Sequence, residues 1–179
     1  MRERGIYYRE DHDRMICGID LAGSESRSTG LCLLHTHQSF HTLFTDADIL
    51  SFLQSFTPSL VAIDAPLSFH GGSFRECDRE LRKEYPILPL TFKGMQALTR
   101  RGIGLRAHIL SPVIEVYPHA SKKILGITGK EDLLSHGFST LPSTIHELDA
   151  AVAALTGQFF LRGTYTAYGT GDRIIVPVE

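Results

Sequence analysis

Four acids stand where acids are costly. Asp20 interrupts the apolar run Met15 to Ala22 (MICGIDLA), Glu115 interrupts Pro112 to Tyr117 (PVIEVY), and Asp64 closes the short run Leu60 to Ile63 just before Ala65 and Pro66. An ionised carboxylate inside a buried strand needs a cation or several donors to compensate it. A divalent metal would serve three such positions at once. Mg²⁺ and Mn²⁺ prefer carboxylate and water oxygens, and two such ions about 4 Å apart can clamp the attacking and leaving oxygens of a phosphodiester. The fourth acid, Asp149, follows from helical phase. At 100° per residue it lies about 60° from Val152 and about 40° from Ile145, at the edge of an apolar stripe that faces a sheet. The small residues Ala150, Ala151, Ala153 and Ala154 let that helix approach closely. The expected catalytic and metal-ligating set is therefore Asp20, Asp64, Glu115 and Asp149.

The elements that must position these acids are those of an α/β domain. Met15 to Ala22 reads as a central strand covered on both faces, and Gly30 to His35 with Ser39 to Phe44 reads as the next two strands of an antiparallel meander. Asp46 can cap a helix carrying Ile49, Leu50 and Leu53. Leu60 to Asp64 is a strand that Pro66 stops. Ser73 and Glu76 fit a capping box opening a helix to Lys83, and residues 84 to 110 read as a loop followed by an irregular helix. Pro112 to Tyr117 is a further strand ended by Pro118. Thr144 and Glu147 make a second capping box, for a helix whose Leu148, Ala151, Val152, Leu155 and Phe159 recur at helical spacing until Gly163 stops it. Arg173 to Val176 is the expected last strand.

Composition narrows the function classes. The 179 residues are 42% hydrophobic and 21% charged, which suits one domain with a filled core and argues against disorder. We expect a single domain over residues 15 to 179 behind a flexible tail over 1 to 14. No apolar run reaches the roughly 18 residues of a membrane helix, and the charged start does not resemble a signal peptide, so a cytoplasmic protein without membrane contact is expected. Cys17, Cys32 and Cys77 share no CxxC spacing and read as buried reduced thiols. The net charge of -2 hides an asymmetry: residues 75 to 123 carry ten Lys or Arg against five acids, leaving eight against fifteen elsewhere. That basic middle would attract an anionic polymer, with Arg75, Arg79 and Lys93 as candidate substrate-binding residues. His35, His37 and His41 are explained by a polar hairpin connection. His119 and His146 lie near acids in sequence and can orient water or phosphate. AGSESRSTG matches no phosphate loop, because it joins two strands.

In order, GIDLAGSESRSTG, VAIDAPLS, FRECDRELR, VIEVYPHA, HELDAAVAAL and DRIIVP resemble the successive motifs of the family known as domain of unknown function 429, over about residues 15 to 177. That resemblance implies an RNase H-like fold akin to the Holliday-junction resolvases: a mixed sheet, with an antiparallel three-strand meander continued by parallel strands, flanked by helices. It also implies nuclease activity, metal ligands at Asp20 and Asp149 completed by Asp64 and Glu115, and characteristic roles for Arg75, Asp78 and Arg79. The leading expectation is a metal-dependent phosphodiesterase using Mg²⁺ or Mn²⁺ on DNA or RNA. Two alternatives are a non-catalytic nucleic-acid or nucleotide binding module, and a phosphotransferase related to the actin-like ATPases, which the chain's length disfavours. Substrate and oligomeric state stay open.

Overall fold

Long apolar runs become strands buried on both faces, and they assemble first into a meander. In the computed structural model, which describes residues 14–178, β1 (Ile16–Asp20), β2 (Thr29–Leu34) and β3 (Gln38–Leu43) pair antiparallel in sequence order. All but Arg14 of the expected tail lies outside the described residues. After α1 (Asp46–Phe56), β4 (Leu60–Asp64) returns parallel to β1. Then α2 (Glu76–Leu81) and α3 (Lys93–Arg106) lead to β5 (Val113–Val116), parallel to β4. A helix α4 (Pro118–Ile124), a 3₁₀ turn (Lys130–His136) and the long α5 (Ile145–Arg162) precede the hairpin of β6 (Tyr165–Tyr168) and β7 (Ile174–Pro177). The sheet order is β3-β2-β1-β4-β5-β7-β6, with β7 parallel to β5 and antiparallel to β6. This is the mixed sheet expected.

Alternation along the strands divides the core between two faces. Ile16, Cys32 and Leu60 pack with Ala151, Val152 and Leu155 of α5. Cys17, Ile19, Val61 and Ile63 pack on the other side with Ile49 of α1 and Leu105 of α3. All three cysteines are buried and unbridged, and burial pushes the Cys77 thiol up to about 12. Among the described residues no helix is long and apolar enough to cross a membrane.

The opening of α5 forms as its residues suggest. Thr144 Oγ1 accepts from Glu147 N at 3.1 Å, and Glu147 Oε2 accepts from Ser143 N at 2.7 Å and Thr144 N at 3.2 Å. Gly163, at φ 74°, ends the helix in the left-handed region that glycine tolerates. Elsewhere the caps differ. Thr45, not Asp46, caps α1 by accepting from Asp48 N, and Asp46 instead accepts from Arg101 Nε at 2.8 Å. The Ser73 box does not form: α2 begins at Glu76, Asp78 Oδ2 accepts from Arg75 N, and Ser73 pairs with Thr91. The expected irregular helix is a regular one of 14 residues, α3. Pro118 ends β5 and also opens α4, since proline at a first helical position forfeits no bond. The short edge strand β6 was not among the expected elements.

Candidate metal centre

Asp20 and Asp64 are the last residues of β1 and β4, and they are register partners across that parallel pair. Both side chains share the face of Gly18 and Ala62, which is the face α5 covers. Gly18 and Gly30 allow that helix to lie directly on the strands. A Cβ at Gly18 would fall 2.0 Å from Ala150 O and 2.4 Å from Ala154 N, and one at Gly30 would fall 2.2 Å from His146 O. The close approach carries His146 and Asp149 to the strand ends. His146 donates from Nδ1 to Asp20 Oδ2 at 2.7 Å, and Lys122 of α4 donates from Nζ to Asp149 Oδ1 at 2.7 Å. The Asp64 carboxyl has no hydrogen bond or ion pair among the described residues.

The electrostatics follow from this crowding. Burial, reinforced by the charges of Asp20, Asp149 and Glu115, holds the Asp64 carboxyl well above the usual carboxylate range, and Lys122 opposes it. Asp20 is raised by burial and by Asp149, against the hydrogen bond from His146 and the charge of Lys122. The charges of the three aspartates thus bear on one another, with Lys122 opposing them.

Glu115 is not brought to the face of the aspartates. It is in register with Ile63 rather than Asp64, so its side chain leaves the opposite face of the sheet. Oε2 accepts from Leu67 N at 2.9 Å and from Arg75 Nη1 at 2.8 Å, while Oε1 accepts from Arg75 Nη2 at 2.5 Å. Its oxygens are engaged there rather than at the aspartates. Arg75 is buried with it, being only 5% exposed and bonded to Asp78 Oδ1 and Oδ2 as well. Burial works against its charge, but Glu115 and Asp78 more than restore it. A guanidinium that neutralises two buried acids is not free to meet a phosphate. Of the three expected substrate-binding residues, Arg79 and Lys93 are exposed; Arg79 donates to Phe74 O. Beside Asp64 and the Arg75 network lies a cavity of about 200 Å³, lined by Asp64, Arg75, Glu115, Leu88, Met95 and Tyr117.

The two residues bonded to Asp20 and Asp149 differ in what the sequence shows of them. His146 precedes Asp149 by three residues and so shares its helical face, whereas Lys122 has no local signal at all. His41 lies against Phe52, with ring centroids 4.7 Å apart, and His119 against Tyr117 at 5.7 Å.

As the side chains stand, no three His, Cys, Asp or Glu residues among those described are grouped closely enough to share an ion. The donor set nonetheless suits a hard divalent cation. It offers carboxylate oxygens from three elements, one of them uncompensated, and two of the carboxylates are held by donors that a cation can replace.

An antiparallel meander continued by parallel strands, with α5 laid across acids at the ends of β1 and β4, defines an RNase H-like fold. The chain is similar to the Thermus thermophilus RuvC structure, at TM-score 0.54 and 18% identity, over 84% of this chain and 97% of that one. It is also similar to T. thermophilus RuvC in complex with Holliday junction substrate, at TM-score 0.56 and 16% identity over the same shares. At these identities the likeness is one of fold. No family model matches the sequence, and no curated protein does.

Proposed function

We propose that this protein is a divalent-metal-dependent nuclease that hydrolyses phosphodiester bonds of nucleic acid at Asp20, Asp64 and Asp149. The observation that carries this reading is the Asp20–Asp64 register pair at the ends of two parallel strands, with Asp149 brought over it by α5. Asp20, Asp64 and Asp149 would hold Mg²⁺ or Mn²⁺, which supplies Lewis-acid charge against phosphate oxygens and lowers the pKa of water. The chain's own residues contribute the rest. His146 orients the Asp20 carboxylate from Nδ1, which leaves Nε2 as the ring nitrogen that would exchange a proton. Glu115 and Arg75 brace the turn after Asp64 through the Leu67 amide and Ser68 Oγ, which fixes where that carboxylate points.

The exposed Arg79 and Lys93 would meet the phosphate backbone. The resemblance to the domain of unknown function 429 family supports the fold of such an enzyme more than its reaction. RuvC in complex with Holliday junction substrate makes branched DNA one substrate to try. The test is cleavage of labelled single-stranded, duplex and branched DNA and RNA with Mg²⁺ or Mn²⁺. Wild type should cleave at least one of them and Asp149→Asn should lose activity by orders of magnitude with its fold intact. Equal activity in the two proteins, or none in wild type, refutes the proposal.

A further inference from the structure

Lys122 of α4 is ion-paired to one of the three aspartates. Its ammonium lies 2.7 Å from Asp149 Oδ1, and both side chains are about a fifth exposed, at 23% and 22%. Its charge also bears on Asp20 and Asp64, lowering the pKa of each. The groups facing it are therefore Asp20 from β1, Asp64 from β4, and Asp149 with the Asp20-bound His146 from α5.

Its backbone is anchored through its neighbour, while its own side chain is held by the one bond to Asp149. Ser121, next to it, is fully buried, and Thr156 of α5 donates to the Ser121 hydroxyl at 2.9 Å, two turns beyond Asp149. The neighbouring Lys123 turns the other way, with its ammonium 5.8 Å from the Tyr85 ring centre, so the two lysines are not interchangeable. A compact charge on a flexible four-carbon stem can leave a carboxylate by changing rotamer alone.

We propose that Lys122 is a built-in counter-ion, which a divalent cation must displace before Asp20, Asp64 and Asp149 converge on it, and which then stands free at the edge of the site to position a substrate phosphate. This rests on the metal reading of the site. It accounts for the separation of the three aspartates in the present state: one is held by Lys122, one by His146, and the third has neither partner. Lys122 is a positioning residue here.

The experiment compares Mn²⁺ binding by calorimetry in wild type, Lys122→Met and Lys122→Gln, with no nucleic acid present. Both variants should bind Mn²⁺ roughly three- to tenfold more tightly than wild type, since a partly exposed ion pair no longer competes. Their metal-free melting temperatures should fall. In wild type, the Lys122 side-chain ¹⁵N resonance, assigned by its loss in Lys122→Gln, should shift on Mg²⁺ saturation; this readout needs no variant to be stable. Unchanged or weaker Mn²⁺ affinity in the variants, or an unmoved resonance, overturns the proposal. If wild type binds millimolar Mn²⁺ and removal of Lys122 changes nothing, only this inference falls; if wild type binds none, the metal reading falls with it.

Discussion

Gly18→Ala adds one methyl where α5 leaves no room for it. The new Cβ would sit 2.0 Å from Ala150 O, 2.4 Å from Ala154 N and 2.9 Å from Ala154 Cβ. Ordinary contacts begin near 3.5 Å, so strand and helix must part by about 1.5 Å. Two of the three obstructing atoms are backbone, so no rotamer change relieves them. Overpacking of this kind costs about 3 kcal/mol, the upper part of its usual range. For a chain of this length that lowers the melting temperature by roughly 6–12 °C. The displaced residues adjoin the site: Ala150 follows Asp149, and Gly18 precedes Asp20 on the same face. A shift of about 1 Å can cost 10²-fold in rate, so cleavage and Mn²⁺ affinity should fall further than stability alone explains. Gly104→Ala is the control. It lies inside α3 with nothing near its would-be Cβ, and should stabilise by about 0.5–1 kcal/mol. Thermal melts of the three proteins decide the matter. A Gly18→Ala melting temperature within a degree or two of wild type would refute the close-packed seat of α5.

Arg75→Ala leaves Glu115 and Asp78 buried without their cation and should cost about 3–5 kcal/mol, whereas exposed Lys93→Ala should stay within about 0.5 kcal/mol. Urea titrations of both variants check this, and equal midpoints would contradict the ion-pair network. Asp64→Asn should raise the melting temperature in metal-free buffer, and the gain should grow with pH. The folded Asp64 carboxyl is raised above its ordinary 3.8, so its contribution to stability is present below that value and is lost as pH rises through the folded pKa. Melts with a chelator between pH 3.5 and 8 test the sign, and a gain that shrinks with pH counts against it. Glu147→Gln should cost about 0.5–1 kcal/mol by weakening the bonds from Ser143 and Thr144, with little change in cleavage rate.

Asp20, Asp64 and Glu115 carry one sequence signal, an acid in or at the end of an apolar run, and the structure answers it in two ways. Two acids end strands on the face of α5, while the third turns to the other face and meets Arg75. Which face an acid takes depends on register, which a strand's own residues do not reveal; a slip of one residue would have put Glu115 beside Asp64. Arg75 and Asp78 were legible as characteristic residues through the family resemblance, but Glu115, the second partner of Arg75, lies 40 residues away in sequence. Asp149 was legible because helical phase is local. Lys122 was not, since its bond to Asp149 depends on how α4 docks on α5. The regularity of α3 was hidden by Gly94, Gly102 and Gly104. One of these is required: a Cβ at Gly102 would stand 2.8 Å from Pro66 O, so the glycine there serves packing rather than breaking the helix.

The central claim is that Asp20, Asp64 and Asp149 share a divalent cation, and a crystal structure grown with Mn²⁺ and read by anomalous scattering tests it most directly. A peak bounded by those three carboxylates is expected, with Lys122 turned away from Asp149 and Glu115 still bonded to Arg75. No peak at saturating Mn²⁺, or a peak ligated by Glu115 in place of Asp149, would contradict it.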